Sequence, residues 1–399
     1  MLDVSANIPL AEINRRIAAL QCQLAEHRMD AALILQNADL FYLTGTIQQS
    51  HLYLPVRGKP LLMVRRSEER ARAESPLVGI VGLASPKELI GGIKANGSPL
   101  PATLGMELDV LPANLFFGYQ RLFPETRIVD VSPLIRRLRA VKSPFEISRM
   151  REAGRLADAV AAAAGRLIAE GMSEVELAGH IEAHARRLGH QGLVRMRLWG
   201  SELFYGHLMA GATGAVPSFI SSPTGGAGLG PSCPQGPSLI PIRRGQPILV
   251  DYVFCHRGYL ADHARIFSIG PLDKDLLDAH QAMRDVQRVI IAMARPGVRA
   301  GDIYAAALAK TTAMGYGDFF MGADSQRVRF VGHGIGTELD EFPFLAEGQD
   351  MALEAGMTVA VEPKLVIPGR GVVGIENTFL VTDSGLEKLT HFTEDVVQC

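Results

Sequence analysis

The sequence predicts an α/β domain over residues 1–140 followed by a larger α+β domain over residues 141–399. Three observations carry this expectation. A chain of 399 residues exceeds what one ordinary hydrophobic core fills, so it should divide in two. The first third alternates helical and strand patterns, as α/β layer domains do. The remainder repeats one layout, a pair of helices leading into apolar strands that carry carboxylates.

In chain order, Ile13, Ile17, Leu20 and Leu24 recur at helical spacing, and Ala31-Ala32-Leu33-Ile34-Leu35 follows as a short strand. Further strands are expected at Leu61–Val64, Val78–Val81 and Arg127–Asp130, with helical stretches between them. Ser143 is placed to cap a long helix that Pro144 opens, and the alanine-rich run through 153–164 extends it. Ser173 starts a second helix, with Glu176 three residues on as in a capping box. Residues 273–294 and 300–314 form a second helical pair, separated by Pro296-Gly297. The stretch 222–236 is too rich in Gly and Pro for helix or strand; with no helix after it to supply a dipole, it reads as a lid or pocket wall rather than a phosphate loop.

Composition narrows the function. Hydrophobic residues make up 47% and charged residues 21% of the chain, a profile of folded globular proteins. A net charge of −2 without a basic run argues against nucleic acid as partner, because phosphate binding needs a basic footprint. No apolar run approaches the roughly 20 residues that span a bilayer, so no membrane association is expected. The start, Met1-Leu2-Asp3-Val4-Ser5, lacks a secretory pattern. Cys22, Cys233, Cys255 and Cys399 show neither metal-type pairing nor a disulfide framework, which points to a reducing cytoplasm.

The chemistry lies in five residues of the second domain: Asp251, Asp262, His333, Glu362 and Glu376. Asp251 ends the apolar run Pro247–Val250, and Asp262 falls in the next strand after a turn near His256-Arg257-Gly258, so the two can face each other on one side of an antiparallel pair. Glu362 follows the strand candidate Thr358–Val361, and Glu376 sits within an apolar strand from Val372 to Val381. Carboxylates set in runs of Val and Ile are costly to bury without a cation. Four carboxylates and one imidazole form a hard ligand set for divalent metal, and such ions can generate a hydroxide near neutral pH.

Set in Val250-Asp251-Tyr252, Asp262-His263-Ala264-Arg265, Gly332-His333-Gly334, Val361-Glu362-Pro363 and Gly374-Ile375-Glu376-Asn377, with eleven positions between the aspartates, these residues resemble the pita-bread metallopeptidases. That family includes methionine aminopeptidases, prolidases, Xaa-Pro aminopeptidases and creatinase. Tyr42-Leu43-Thr44-Gly45 and Arg139-Ala140-Val141-Lys142-Ser143, followed by Glu146-Ile147, resemble the creatinase-type domain of the prolidase branch. The resemblance implies a creatinase-like α/β N-terminal domain followed by an α+β pita-bread catalytic domain. It implies two divalent metal ions, manganese foremost, with cobalt, iron and zinc also accepted by such ligands. Asp262 and Glu376 would bridge both ions, Asp251 would complete one site, and His333 and Glu362 the other. A bridging hydroxide would be the nucleophile, with Glu362 as proton shuttle and His333 beside it. A homodimer is implied as well, with the N-terminal domain of one subunit near the catalytic mouth of the other.

Three positions depart from the prolidase pattern. Substrate-contacting histidines are replaced by Ser218 and Asp340, and an arginine two residues before the last glutamate by Gly374. A carboxylate at 340 would repel an oxyanion and favour a cation. The leading expectation is therefore a metal-dependent hydrolase of Xaa-Pro dipeptidase or aminopeptidase type, cleaving short peptides before proline. The alternative is a non-peptide hydrolase or lyase of the same fold acting on a small cationic metabolite, similar to creatinase or ectoine hydrolase. A binding protein without catalysis is disfavoured by the complete ligand set.

Overall fold

The computed structural model describes residues 7–202 and 205–399, so the expectation about the first five residues lies outside the described residues. The chain forms two compact units, Met1–Arg139 and Ala140–Cys399.

The helix Leu10–Glu26 opens the first unit and buries Ile13, Ile17, Leu20 and Leu24, the residues that set its period. Among the described residues of this unit the strands are β1 (Ala31–Ile34), β2 (Ser50–Pro55), β3 (Leu61–Val64), β4 (Ile80–Gly82), β5 (Thr103–Met106) and β6 (Arg127–Asp130). They form one mixed sheet in the order β4-β3-β2-β1-β5-β6. The strand expected from Val78 starts two residues later. Leu62 of β3 pairs with Ile80, and Val78, outside that pairing, is 89% exposed. An edge strand has a partner on one side only and ends where that partner does.

One histidine makes this unit acid-sensitive. His51, 5% exposed, has Nε2 2.7 Å from the Tyr119 hydroxyl while Nδ1 has no partner. Burial, aided by the charge of Arg65, lowers its pKa from 6.5 to about 4. An unfolded chain takes the proton near pH 6.5 and the folded one only near 4. The stabilisation is therefore complete above 6.5 and is lost as pH falls from 6.5 to 4, by about 3 kcal/mol. Denaturant unfolding of His51→Phe at pH 7 and pH 4.5 should show a smaller acid loss than wild type; equal losses would remove His51 as the source.

The second unit carries two helix pairs, Pro144–Leu167 with Glu174–Arg187 and Lys274–Met293 with Ala300–Ala313. Ser143 caps the first through a full capping box with Glu146. The Ser173 hydroxyl accepts from the Glu176 N–H at the second helix. Among the described residues its strands are β7 (Gly206–Ala210), β8 (Ile248–His256), β9 (Tyr259–Ser268), β10 (Phe330–Gly334), β11 (Glu341–Ala346), β12 (Thr358–Val361), β13 (Lys364–Ile367), β14 (Gly371–Gly374), β15 (Asn377–Thr382), β16 (Gly385–Lys388) and β17 (Val397–Gln398). They make a four-stranded sheet β17-β9-β8-β7, a five-stranded sheet β11-β10-β12-β15-β16 and the hairpin β13-β14.

Each helix pair covers one sheet. Val160, Ala164, Leu177 and Ile181 pack with Val250, Phe254 and Phe267, whereas Met283, Val286, Ile290 and Ile303 pack with Val359, Val361 and Phe379. This is the doubled α+β layout expected from the sequence.

The single strand expected from Val372 to Val381 is two. The chain pairs with β13 up to Gly374 and with β12 from Asn377, so Ile375 and Glu376 cross between ladders. Glu376 keeps its backbone anchored by donating its N–H to the Ala264 carbonyl. The stretch 222–236 contains no helix or strand, only an isolated bridge between Gly230 and Cys233.

Candidate active site

The β8–β9 register pairs Asp251 with Ala264 and Val253 with Asp262. The aspartates are thus diagonal neighbours on one face rather than directly opposite, within reach of a common ligand. Across β7, His207 stands opposite Asp251. On the other sheet, His333 sits in β10 between Gly332 and Gly334, opposite Ala360 of β12. Those glycines are required by close approach: a Cβ at Gly332 would lie 2.3 Å from the Ala360 carbonyl oxygen, and one at Gly334 2.1 Å from that of Phe342. Glu362 leaves the end of β12, Lys364 begins β13, and Glu376 occupies the crossing between β14 and β15.

All five candidate ligands line one cavity that opens to solvent. Glu202, His207, Asp340 and Lys364 line it too, as do Ser222 and Gln235 from the Gly/Pro-rich stretch. Asp262, His333 and Glu376 each place one ligand atom within 4.8 Å of the others. His333 Nε2 lies 3.7 Å from Glu362 Oε1, and its Nδ1 is 3.6 Å from Asp340 Oδ1. Nδ1 also lies 3.0 Å from the Gly334 carbonyl. A carbonyl only accepts, so this contact places a proton on Nδ1 and leaves Nε2 to act as a ligand. Arg265 supports the cage from behind, donating to the Glu376 carbonyl at 2.7 Å and the Asn377 side-chain oxygen at 2.8 Å.

The cage is short of positive charge. Burial, then the charge of Asp251, pushes Asp262 up to about 7. Burial, then Asp262, raises Glu376 well above the carboxylate range. For His333, burial acts downward but Asp340, Glu362 and Asp262 outweigh it and raise its pKa. Asp262 Oδ1 is buried with no hydrogen-bond partner. A buried cluster of carboxylates that resist ionisation, one of them with an orphaned oxygen, fits a hard divalent cation.

Sequence reasoning passed over one residue of the cage. Lys364, 1% exposed, sets Nζ 2.7 Å from Glu362 Oε2, 2.7 Å from Glu376 Oε2 and 2.9 Å from Asp251 Oδ2. Burial acts to lower its pKa, yet those carboxylates outweigh it and raise it well above the lysine range. Its spacing of two from Glu362 is the signal that could have marked it. His207 also lies on the cavity wall, with Nδ1 2.8 Å from the Thr224 hydroxyl.

Of the three departures from the prolidase pattern, Asp340 and Ser218 part company in the structure. Asp340 reaches the cavity wall and adopts a left-handed backbone at φ 62°, which Asp tolerates better than most side chains. Ser218 does not reach it. Its hydroxyl donates to the Pro234 carbonyl, and it lines a neighbouring cavity with Val216 and Gly225. The turn Gly211–Ala215 carries the chain past the cage, and Ser221 and Ser222 come back to its wall instead.

Residues 148–383 match the model of metallopeptidase family M24, and residues 16–141 that of the creatinase/prolidase N-terminal domain. The chain belongs to metallopeptidase family M24. A protein of Lactobacillus helveticus described as a Xaa-Pro dipeptidase is 28% identical over 388 residues, covering 94% of this chain and 97% of that protein. A Xaa-Pro dipeptidase structure from Bacillus anthracis superposes with TM-score 0.83 at 24% identity, covering 97% of this chain and 100% of its own. A dipeptidase structure from Mycobacterium ulcerans does so with TM-score 0.80 at 25% identity, covering 98% and 99%. The M24 member thus has the two-domain fold expected, a creatinase-type domain before the catalytic domain. Membership makes it a metallohydrolase of peptidase type and implies divalent metal at the cage.

Proposed function

We propose that this M24 protein cleaves short peptides before proline, as a Xaa-Pro dipeptidase or aminopeptidase. The observation that carries the proposal is the convergence of Asp262, His333 and Glu376 at a solvent-open cavity with Glu362 beside them. Similarity along nearly the whole chain to a protein described as a Xaa-Pro dipeptidase supports the substrate class.

Asp251, Asp262, His333, Glu362 and Glu376 form the set that would hold metal, and the hard oxygen donors suit manganese. When bound, the metal supplies Lewis-acid polarisation of the scissile carbonyl and a more acidic water. Glu362 takes the proton of the attacking water and delivers it to the leaving amine. Asp340, on the cavity wall, receives the substrate's α-ammonium group, and the Gly334 carbonyl keeps the His333 ring oriented.

The Asp340 carboxylate also favours a second reading, a small cationic metabolite cleaved at an amide or amidine bond. Manganese-loaded protein should be assayed against Xaa-Pro dipeptides, longer peptides, and creatine-like and ectoine-like compounds. Turnover of Xaa-Pro peptides supports the first reading, and turnover of the cationic compounds alone replaces it with the second. Asp340→Asn should raise KM about tenfold for a peptide with a free amine, since a hydrogen bond to a charged group is worth about 1.5–3 kcal/mol. An N-acetylated peptide should be unaffected; equal changes for both would remove Asp340 from amine recognition.

The same proposal includes a homodimer working in a reducing cytoplasm. Twofold dimers are the commonest assembly, and Trp199, 97% exposed, and Phe219, 62% exposed, offer apolar surface for one to cover. Among the described residues no helix is long and apolar enough to cross a membrane, and all four cysteines are free. Sedimentation at micromolar concentration showing only a 43.1 kDa species would count against the dimer.

A further inference from the structure

Lys364 has no place in the chemistry described so far, yet it is the most completely enclosed cation at the cage. Lysine is almost never fully buried unless paired, and an ammonium has three donors. Here three carboxylates answer them: Glu362 and Glu376 at 2.7 Å and Asp251 at 2.9 Å. The hairpin is shaped around the lysine stem. Lys364 pairs with Gly374, where an added Cβ would fall 2.7 Å from the Lys364 Cα and 3.0 Å from its Cγ.

We propose that the Lys364 ammonium takes the place of one metal ion, so that the chain binds a single divalent cation at Asp262, His333 and Glu376. The inference rests on the metallohydrolase reading above and departs from the pair of ions expected from the sequence. Its geometry divides the cage in two. The lysine engages Asp251, Glu362 and Glu376. Asp262 and His333 lie outside its contacts, with Asp262 Oδ1 unpartnered and His333 Nε2 free to ligate. Glu376 serves both halves because a carboxylate has two oxygens. An ion bound to the lysine's three partners at about 2.0–2.2 Å would sit against Nζ, where like charge and contact distance both oppose it. A hard ion in the other half meets the open oxygen of Asp262 and Nε2 of His333, the ring nitrogen turned away from the Gly334 carbonyl.

The test is the number of ions per chain. Wild-type protein is saturated with Mn(II), freed of unbound ion, and measured by elemental analysis and by electron paramagnetic resonance. We expect one ion per chain and the six-line spectrum of an isolated Mn(II). Lys364→Ala should take up two ions and show the exchange-coupled spectrum of a neighbouring pair, whereas Lys364→Arg should remain at one. Two ions in wild type overturn the inference and leave the metallohydrolase reading intact, and this measurement needs no variant to fold. No ion in wild type overturns both. A folded Lys364→Ala protein that still binds one ion shows that the ammonium is not what excludes the second, and overturns the inference as well.

Discussion

Glu362→Gln should lower hydrolysis about a thousandfold, within the range by which a positioned general base accelerates proton transfer. The change conserves shape and removes only the ability to accept the proton of water, because an amide nitrogen donates and its carbonyl is not basic. Asp262, His333 and Glu376 remain to hold metal, and Lys364 keeps Asp251 and Glu376 as partners. Metal content must be measured with the rate, since Glu362 lies beside His333 and holds Lys364. A fall in rate at unchanged metal content assigns the proton transfer to Glu362. Full activity in a metal-replete variant removes that role.

Gly334→Ala should disable the site from within the fold. The added methyl would lie 2.1 Å from the Phe342 carbonyl oxygen and 2.7 Å from that of Glu341, so β10 and β11 must part. Backbone atoms cannot turn aside as a flexible side chain does, and overpacking of this kind costs about 3 kcal/mol. His333 is the preceding residue, and its ring is oriented by the Gly334 carbonyl itself. Losing that orientation should weaken metal binding by about 10- to 100-fold, as loss of a group that orients a metal ligand does. Denaturant unfolding and a metal titration check the two effects separately. A variant as stable and as tight-binding as wild type would show that the glycine is not needed for strand approach.

The parts of this site that follow a short-range rule were legible in the sequence. Asp251 and Asp262 sit in apolar strands joined by a tight turn, so strand parity alone predicts a shared face, and the β8–β9 register places them on one. The helix through Ile13, Ile17, Leu20 and Leu24 declared itself by period, as did the capping of the helix at Ser143. What escaped depends on which distant segments meet. Lys364 lies only two residues from Glu362, but its burial becomes tolerable only where Asp251 and Glu376 from other strands join that carboxylate around the ammonium. The break at Ile375-Glu376 is set by a change of partner strand, which an unbroken run of apolar residues does not reveal. Ser218 is expected at the site only from the resemblance to the prolidase pattern, and the direction its loop takes is fixed by remote contacts such as that with the Pro234 carbonyl.

Metal-dependent cleavage at the cage formed by Asp262, His333 and Glu376 is the property on which the proposed function rests. The measurement is hydrolysis of an Xaa-Pro dipeptide by one protein preparation before chelation, after chelation, and after Mn(II) is restored. Turnover should disappear with the metal and return with it, and should not return in a folded His333→Ala variant at the same Mn(II) concentration. Turnover that survives complete removal of metal, or that returns undiminished in the variant, would contradict the proposed function.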